Sequence, residues 1–511
     1  MPGADRKRGQ TMLSTGVRGG GLEMRPVWIS WVLLAVACGE GNGEDTASLA
    51  FDKDIDGLGE ADNTESFGTK MCTDEDGAVY VVWMDDRLTP DKASVWFNRS
   101  LNGIDWLNSP VRVNSGDEET SVYEADIACT TQGVFIAWED DRDGEILNHN
   151  IYLDASYDGG VSFLDEDILI DEDTDGLAFS KGPDVFAVGT DVYVAWFDQV
   201  NGAYDIYVSS SGDNGESFRD PVRVDSDAAG AAYSAWPQLF ATPIGSVYVA
   251  WEDSRSGASD VYFAYSDNAA NTFKPDIRID GGDDDGANNS FEPRLAADGN
   301  DVYVVWFDER NGVGRDVFMN YSSNGGVDWK SVSDRVDTDN AGFFNSKFPQ
   351  VKVSDNLAHF VWQDNRDTNY DVYYRRAAAG VLGDPEVLIE HDESPGFSVS
   401  SLPVLDERDG QLVVAWTDGR QEALNAGDDG YTDVYYVNSN NGTDWGEEDL
   451  RVDVLPPGVS YKVDLNMEIV GGYAYFTWTD GRNGTSDVYF NRLPIGEGAV
   501  IPETTEGSTA P

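Results

Sequence analysis

Two glutamates occupy the same place in a recurring pattern, directly after the tryptophan of an "AWED" segment that ends an apolar run. They are Glu139 and Glu252. Two carboxyl groups on one face can supply the acid and the base that cleave a glycosidic bond, so this pair is the candidate for catalysis. Nothing in the sequence sets the distance between them, because they belong to different copies of the pattern. Three further residues are expected near the same rim and are candidates for contacting a ligand: Gln363, Trp236 and His149.

Metal ligation is a second chemistry that the residues allow. The segments "DKDIDG" and "DEDTDG" place acids at alternate positions before a glycine, which is typical of the start of a calcium loop. The glutamate that completes such a loop at position twelve is absent, so solvated acidic loops are the alternative. With calcium as the one cofactor considered, the predicted ligands are Asp52, Asp54, Asp56, Asp171, Asp173 and Asp175.

These candidates belong to eight copies of one unit that recurs about every 55 residues. Each unit reads as four short strands, and its second strand is apolar on both faces, as in a sheet packed between two neighbours. Units of this kind predict an all-β fold, a β-propeller of eight four-stranded blades. The tryptophans that mark the units are Trp83, Trp138, Trp196, Trp251, Trp306, Trp362, Trp416 and Trp478.

The last unit has only three strands before the chain turns polar, so an N-terminal strand must complete it. Ala47–Phe51 aligns with the fourth strands of other units and is predicted to close the last blade, which leaves no free edge. The domain boundaries follow from this closure. We expect a signal or lipoprotein peptide at 1–38, a linker at 39–46, the propeller at 47–496 and a disordered tail at 497–511.

An aspartate stands two residues after the tryptophan in all eight units. An arginine follows two residues further on in seven of them, with Val200 as the exception. The rigid fork of arginine can bridge two carboxylates. A feature copied around a ring is architecture, whereas an enzyme site occurs once. We therefore predict a clip that shapes each turn between the second and third strands, and the variable residue beside it, such as Glu252, is the better functional candidate.

The N-terminal segment "MRPVWISWVLLAVACGE" reads as an export signal and resembles a bacterial lipobox. The resemblance implies lipidation at Cys38 and an exported lipoprotein at the outer membrane or cell surface. A cleaved signal with an incidental cysteine is the alternative.

Export permits a disulfide between Cys72 and Cys129. The net charge of −60 opposes binding to nucleic acid or to an anionic membrane, so the lipid anchor is the only membrane contact expected, and cationic protein partners are compatible.

The segments "SYDGGVSF" (Ser156–Phe163) and "SGDNGESF" (Ser211–Phe218) resemble the Asp box, or BNR repeat, of sialidases and related propellers. The aspartates of these boxes, Asp158 and Asp213, are predicted to shape hairpins rather than to react. Sialidases of this superfamily are six-bladed glycosidases with three substrate-binding arginines, a Tyr–Glu nucleophile pair and an Asp acid/base. This chain has eight units and no "RIP"-type arginine motif, so no catalytic residue is carried over.

Three functions follow from these patterns. The first is a surface-anchored, sialidase-like propeller that binds glycan, protein or cation without catalysis. The second is a glycoside hydrolase of sialidase-like type, and the third is a structural component of the envelope. The sequence leaves open the ligand and the oligomeric state.

Overall fold

A computed structural model describes most of the repeat region. The described residues are 52–58, 64–116, 120–142, 149–171, 179–383, 385–392, 394–420, 431–454, 456 and 458–495. Within this part of the chain, no helix is long and apolar enough to cross a membrane. The predictions that lie outside it concern Cys38, Asp173, Asp175, the linker 39–46, the strand Ala47–Phe51 and the tail 497–511.

Every element whose bounds are described is a β-strand, and the strands form eight antiparallel sheets, the blades of a β-propeller. In order from the inner to the outer strand, blades 1 to 4 contain β2 (Ser66–Thr73), β3 (Val79–Thr89), β4 (Lys92–Ser100) and β5 (Val111–Arg112); β6 (Val122–Thr130), β7 (Gly133–Asp140), β8 (Asn150–Ser156) and β9 (Ile168–Leu169); β10 (Ser180–Val188), β11 (Asp191–Asp198), β12 (Asp205–Ser211) and β13 (Val222–Arg223); and β14 (Ser234–Ala241), β15 (Val247–Asp253), β16 (Asp260–Ser266) and β17 (Ile277–Arg278).

Blades 5 to 8 repeat this order, and the last one takes its outer strand from the N-terminal side. They contain β18 (Ser290–Asp298), β19 (Asp301–Asp308), β20 (Asp316–Ser322) and β21 (Asp334–Arg335); β22 (Ser346–Ser354), β23 (Leu357–Asp364) and β24 (Asp371–Ala378), with β25 (Val381–Leu382) and β26 (Val387–Leu388) both paired with β24; β27 (Ser400–Arg408), β28 (Gln411–Asp418), β29 (Asp433–Ser439) and β30 (Leu450–Arg451); and β31 (Lys462–Val470), β32 (Tyr473–Asp480), β33 (Asp487–Pro494) and β1 (Lys53–Asp54).

The predicted eight blades and the closure by an N-terminal strand are both confirmed, but the described pairing lies further along the chain than predicted. Lys53 pairs with Phe490 of β33, while Ala47–Phe51 lies outside the described residues. The reason is a buried side-chain acceptor two residues after the outer strand, which is an aspartate in most blades and Asn114 in blade 1. Asp56 accepts the N–H of Val488 at 2.8 Å, as its counterparts do in other blades, so it is Asp56 that marks the end of the outer strand.

The core consists of apolar clusters between neighbouring blades. All eight repeat tryptophans have no exposed surface. One cluster joins blade 8 to blade 1 through Val470, Val488 and Met71, so the ring closes on itself. Burying a side chain of this size contributes about 3 kcal/mol or more to stability. A disulfide between Cys72 and Cys129, with Cα atoms 6.1 Å apart, links blades 1 and 2, a pairing that the sequence permitted but left open.

The Asp–Arg corners are clips that tie each blade together. In blade 4, Arg255 bridges Asp253 at 2.5 Å and Asp276 at 2.7 Å, and its guanidinium lies 4.0 Å from the Tyr262 ring centre. Asp276 also accepts the N–H of Ser226 from the preceding blade at 3.1 Å. The same Asp–Arg ion pair recurs in the six other blades that have the arginine. These corners are therefore structural.

Several hairpins between third and fourth strands, on the opposite face, are held by a short side chain that is Asp in two blades and Asn in four. Asp213 accepts the hydroxyl of Ser217 at 2.6 Å, the N–H of Ser217 at 3.0 Å and the hydroxyl of Ser211 at 2.7 Å. The bond from Ser217, together with the others, lowers the pKa of Asp213 to about 2. A carboxylate committed to its own turn in this way has no capacity left for catalysis.

Candidate functional site

The inner strands of all eight blades surround a central cavity of about 1070 Å³. The inner strands share a β-bulge, which in β14 falls between Ala235 and Gln238. In seven blades the bulge holds one residue with positive φ, and these residues are Gly68, Gly182, Trp236, Glu292, Phe348, Leu402 and Asp464. The bulge sets which side chains meet the cavity: in blades 4 and 5 both the positive-φ residue and the residue two further on line it.

One wall of the cavity is aromatic. Trp236 has a φ of 55° and leaves 46% of its surface exposed, and Tyr233 leaves 44% exposed. The Trp236 ring packs against Phe197, with ring centres 5.2 Å apart. A Cβ at Gly182 would lie 2.5 Å from Phe197, so this glycine makes room for the ring that supports Trp236. The cavity therefore contains a rigid aromatic surface that is open to solvent.

The charged residues of the lining are mixed but predominantly acidic. They comprise five acids against three bases, namely Glu124, Asp126, Asp184, Glu252 and Glu292 against Lys70, Arg294 and Arg315. Burial and the neighbouring Asp126 raise the pKa of Asp184 to about 8. Both aspartates also join the inner strands of neighbouring blades. Asp126 accepts the N–H of Val185 at 3.0 Å, and Asp184 accepts the N–H of Leu239 at 2.6 Å.

Glu252 combines a structural bond with a perturbed carboxyl group. Its Oε1 accepts the N–H of Glu292, the bulge residue of the next blade, at 2.7 Å. Burial raises the pKa of Glu252 to about 7, and repulsion from Glu292 acts in the same direction. Gln363 makes the equivalent bond two blades on, where its Oε1 accepts the N–H of Leu402 at 2.8 Å. An uncharged amide is thus sufficient for the structural role.

The lining also presents a guanidinium that no carboxylate neutralises directly. Among the described residues, Arg294 forms no ion pair; its pKa is lowered by burial, against the attraction of Glu292 and Asp184. Arg315, by contrast, pairs with Glu309 at 3.0 Å. Arg294 can therefore donate hydrogen bonds to a ligand in the cavity.

The structure separates the residues that the sequence singled out. Trp236 and Glu252 line the cavity, whereas Glu139, His149 and Gln363 do not. The cavity thus brings Glu252 together with Glu292 rather than with Glu139. His149 is only 6% exposed, and its ring pairs with Glu139, which the Lys181 ammonium group also contacts at 3.3 Å.

The predicted calcium ligands are engaged in bonds within the protein. Asp52 pairs with Arg482 at 2.9 Å, Asp54 lies in β1 and accepts the N–H of Gly57 at 3.1 Å, and Asp171 accepts the N–H of Ile151 at 2.9 Å. Over the described ranges, the groups of acids close enough to share a cation are Asp205–Asp225–Asp227 and Asp316–Asp337–Asp339, and each already surrounds a guanidinium, that of Arg223 or Arg335. Calcium binding stays a prediction.

Sequence reasoning missed most of the charged lining, including Asp184, Glu292 and Arg294. A signal was present, because the residues on either side of the inner-strand proline differ between units, as in "GPD", "WPQ" and "EPR". This proline lies inside the inner strand in each of these three units, within β10, β14 and β18. Its neighbours are in fact the positions that the bulge presents to the cavity.

No protein-family model matches the chain, and no curated protein matches it. Among solved structures, it is similar to the polysaccharide lyase Uly1, with 12% identity over 72% of this chain and 89% of that chain and a TM-score of 0.47. A PL25 ulvan lyase bound to -[GlcA(1-4)Rha3S]- shares 11% identity over 88% and 96%, with a TM-score of 0.46. A Trypanosoma rangeli sialidase mutant displaying trans-sialidase activity shares 11% over 74% and 56%, with a TM-score of 0.40. Likeness at this level assigns neither a substrate nor an activity to this chain.

Proposed function

We propose that the central cavity binds carbohydrate. The observation that carries the proposal is the rigid, half-exposed ring of Trp236 inside a cavity that also holds hydrogen-bonding charged groups. Ligand sites combine apolar and aromatic walls with a few placed polar groups. The C–H face of a sugar ring packs on such an aromatic surface, and its hydroxyl groups need the donors and acceptors beside it.

The charges of the lining favour a neutral glycan. The chain carries a net charge of −60, so a polyanionic chain is repelled at a distance. Within the cavity, the raised pKa values of Asp184 (about 8) and Glu252 (about 7) keep these two carboxyl groups wholly or partly protonated at neutral pH, so the ionised acids about balance the three bases and offer an anionic chain no net attraction. The carboxylates of Glu252 and Glu292 can accept hydrogen bonds from hydroxyl groups, and Arg294 can donate to ring or hydroxyl oxygens. Hydroxyl-rich, uncharged sugars match both sets.

The test is binding of neutral cello-, xylo- and arabino-oligosaccharides by a glycan array and then by calorimetry, with heat-denatured protein as the control. We expect binding that competes between soluble oligosaccharides and falls sharply in Trp236→Gly. Absence of binding to every neutral oligosaccharide by the folded protein would overturn the proposal, as would unchanged binding by the Trp236→Gly variant.

A second candidate function is hydrolysis at the same site, and the pKa of Glu252 favours it. A carboxyl group with a pKa of about 7 is still partly protonated at neutral pH and can act as a general acid. Glu252 would give its proton to the glycosidic oxygen as the C–O bond breaks. Glu292 would take a proton from the water that attacks the anomeric carbon. Fluorogenic neutral glycosides test this: turnover that Glu252→Gln abolishes, with binding retained, supports hydrolysis, and no turnover by the wild-type protein leaves binding as the function.

Attachment at a cell surface through Cys38 and calcium binding are kept as separate proposals. Labelling with a palmitate analogue in a bacterial host, with Cys38→Ser as the control, tests the first. A change in thermal stability when EDTA is added to calcium-loaded protein tests the second.

A further inference from the structure

A second concave site lies on the rim of the cavity face, between blades 1 and 2. Its volume is about 270 Å³, close to the lower end of the range for small-molecule sites. Two aromatic rings, Phe67 and Tyr123, stand in it together with three acids, Glu65, Asp86 and Asp91. We call this site the rim pocket.

The two rings break the repeat at a defined position. Phe67 and Tyr123 occupy the same place in β2 and β6, one residue after the residue that pairs with the corner aspartate, and they are 42% and 40% exposed. Five of the other six blades have no aromatic residue there. The sixth has Phe291, which Arg315 covers at 4.9 Å from the ring centre. Two exposed rings on neighbouring blades are not needed for the propeller.

Tyr123 is held in place from behind. Its ring stacks on His149, with centres 4.7 Å apart and planes within 10°, and its hydroxyl donates to Asp141 at 3.4 Å. His149 in turn is bound by Glu139. Glu139 and His149 are therefore positioning residues for Tyr123. One face of the ring is covered and the other is left for a ligand, and this is the arrangement that a sugar-stacking surface requires.

The acids of the rim pocket are arranged by backbone bonds. Asp86 accepts the N–H of Glu65 at 3.3 Å and that of Asp91 at 3.1 Å. These bonds bring the exposed carboxylates of Glu65 and Asp91 to the pocket beside the rings. Carboxylates accept strong hydrogen bonds from hydroxyl groups and repel anions. The pocket chemistry is again that of a neutral sugar.

The rim pocket lies beside the central cavity, because residues that are neighbours in sequence line the two sites. Phe67 is followed by Gly68 and Tyr123 by Glu124, and both of these neighbours line the cavity. Successive residues of a strand are only about 3.3 Å apart. We propose that the rim pocket binds a second sugar residue of the same neutral glycan chain whose end lies in the central cavity, an inference that rests on the proposed function.

Chain length tests the inference. Calorimetry compares disaccharides and hexasaccharides of the cello-, xylo- and arabino- series on the wild type, Phe67→Ala and Tyr123→Ala. Tyr461→Ala is the matched control, because Tyr461 is equally exposed, at 42%, and lies in neither pocket. We expect each rim variant to lose about tenfold in affinity for the hexasaccharide and none for the disaccharide. Phe67→Ala removes no contact with His149, so it keeps the test valid if Tyr123→Ala folds poorly.

The outcomes separate the two proposals. If disaccharides bind and the rim variants bind hexasaccharides as tightly as the wild type, the rim pocket is refuted while the cavity proposal stands. Equal losses for both lengths, or the same loss in Tyr461→Ala, also refute it. If the folded wild-type protein binds no neutral oligosaccharide, the proposed function fails and the rim pocket fails with it.

Discussion

Replacing Glu252 by glutamine should make the protein more stable at pH 8 but not at pH 5. The amide keeps the acceptor that Glu292 N–H requires, as Gln363 does for Leu402. It removes a carboxyl group whose pKa burial raises to about 7 from an ordinary value of 4.5. Ionising Glu252 in the folded protein therefore costs about 3 kcal/mol, and this is the size of the effect that the substitution relieves.

The sign of the pH dependence follows from the raised pKa. The folded state binds the proton more tightly than the unfolded chain, so this contribution to stability is fully present below pH 4.5 and is lost as the pH rises through 7. Between pH 5 and pH 8 the wild type should lose about 2.5 kcal/mol at this site. The Glu252→Gln variant should lose none of it, so the difference in stability between the two proteins should grow by that amount.

Urea denaturation at pH 5, 6, 7 and 8, at constant ionic strength, measures the difference. Gln363→Glu is the mirror control, because it places a carboxyl group at the equivalent position, which is 4% exposed, and should lose stability as the pH rises. Parallel pH profiles for the wild type and Glu252→Gln would refute the reasoning about burial. Equal destabilisation by Glu252→Gln at every pH would instead show that the amide cannot replace the carboxyl group.

Three other predictions concern the Trp236 side chain in the cavity, the Asp–Arg clips and the disulfide. Trp236→Gly should weaken oligosaccharide binding by about thirtyfold or more, whereas Leu402→Gly, which has the same positive φ but lies outside the cavity lining, should bind as the wild type in calorimetry. Arg255→Val should lower the free energy of unfolding by about 3 kcal/mol, because buried Asp253 loses its partner. Adding Asp276→Ser should recover part of this loss, since blade 3 has Val200 and Pro221 at the two positions and forms no such clip. If the effects of the two substitutions on stability were strictly additive, the clip would be contradicted. Replacing both Cys72 and Cys129 by serine should cost up to about 4 kcal/mol, given their separation of 57 residues; an unchanged melting temperature would show that the ring needs no such link.

The repeat made the fold predictable, because each blade buries one tryptophan and repeats the same buried strand. The described pairing that closes the last blade is at Lys53–Asp54, whereas the strand predicted at Ala47–Phe51 lies outside the described residues. Outer strands are only two residues long, which is too short for an apolar pattern to set their register. A better mark is the short acceptor two residues after the strand, which is Asp56 here and Asn114 in blade 1. The lining of the cavity was not predictable in the same way. Whether Arg294 points inward depends on a bulge, and the bulge arises where eight inner strands converge on one axis.

The residue after the tryptophan offers a comparison within the chain that separates structure from function. Three blades place a carboxyl or carboxamide group there. In blade 2, the carboxyl group of Glu139 contacts the ring of His149 and the ammonium group of Lys181. In blade 6, Gln363 has no charge to offset. In blade 4, Glu252 makes the same bond as Gln363, but with a carboxyl group. Its raised pKa shows that ionising this group is unfavourable in the folded protein. Glu252 also lines the cavity together with the half-exposed ring of Trp236. A costly charge where an amide would suffice is the mark of a site that trades stability for function, and it singles out Glu252.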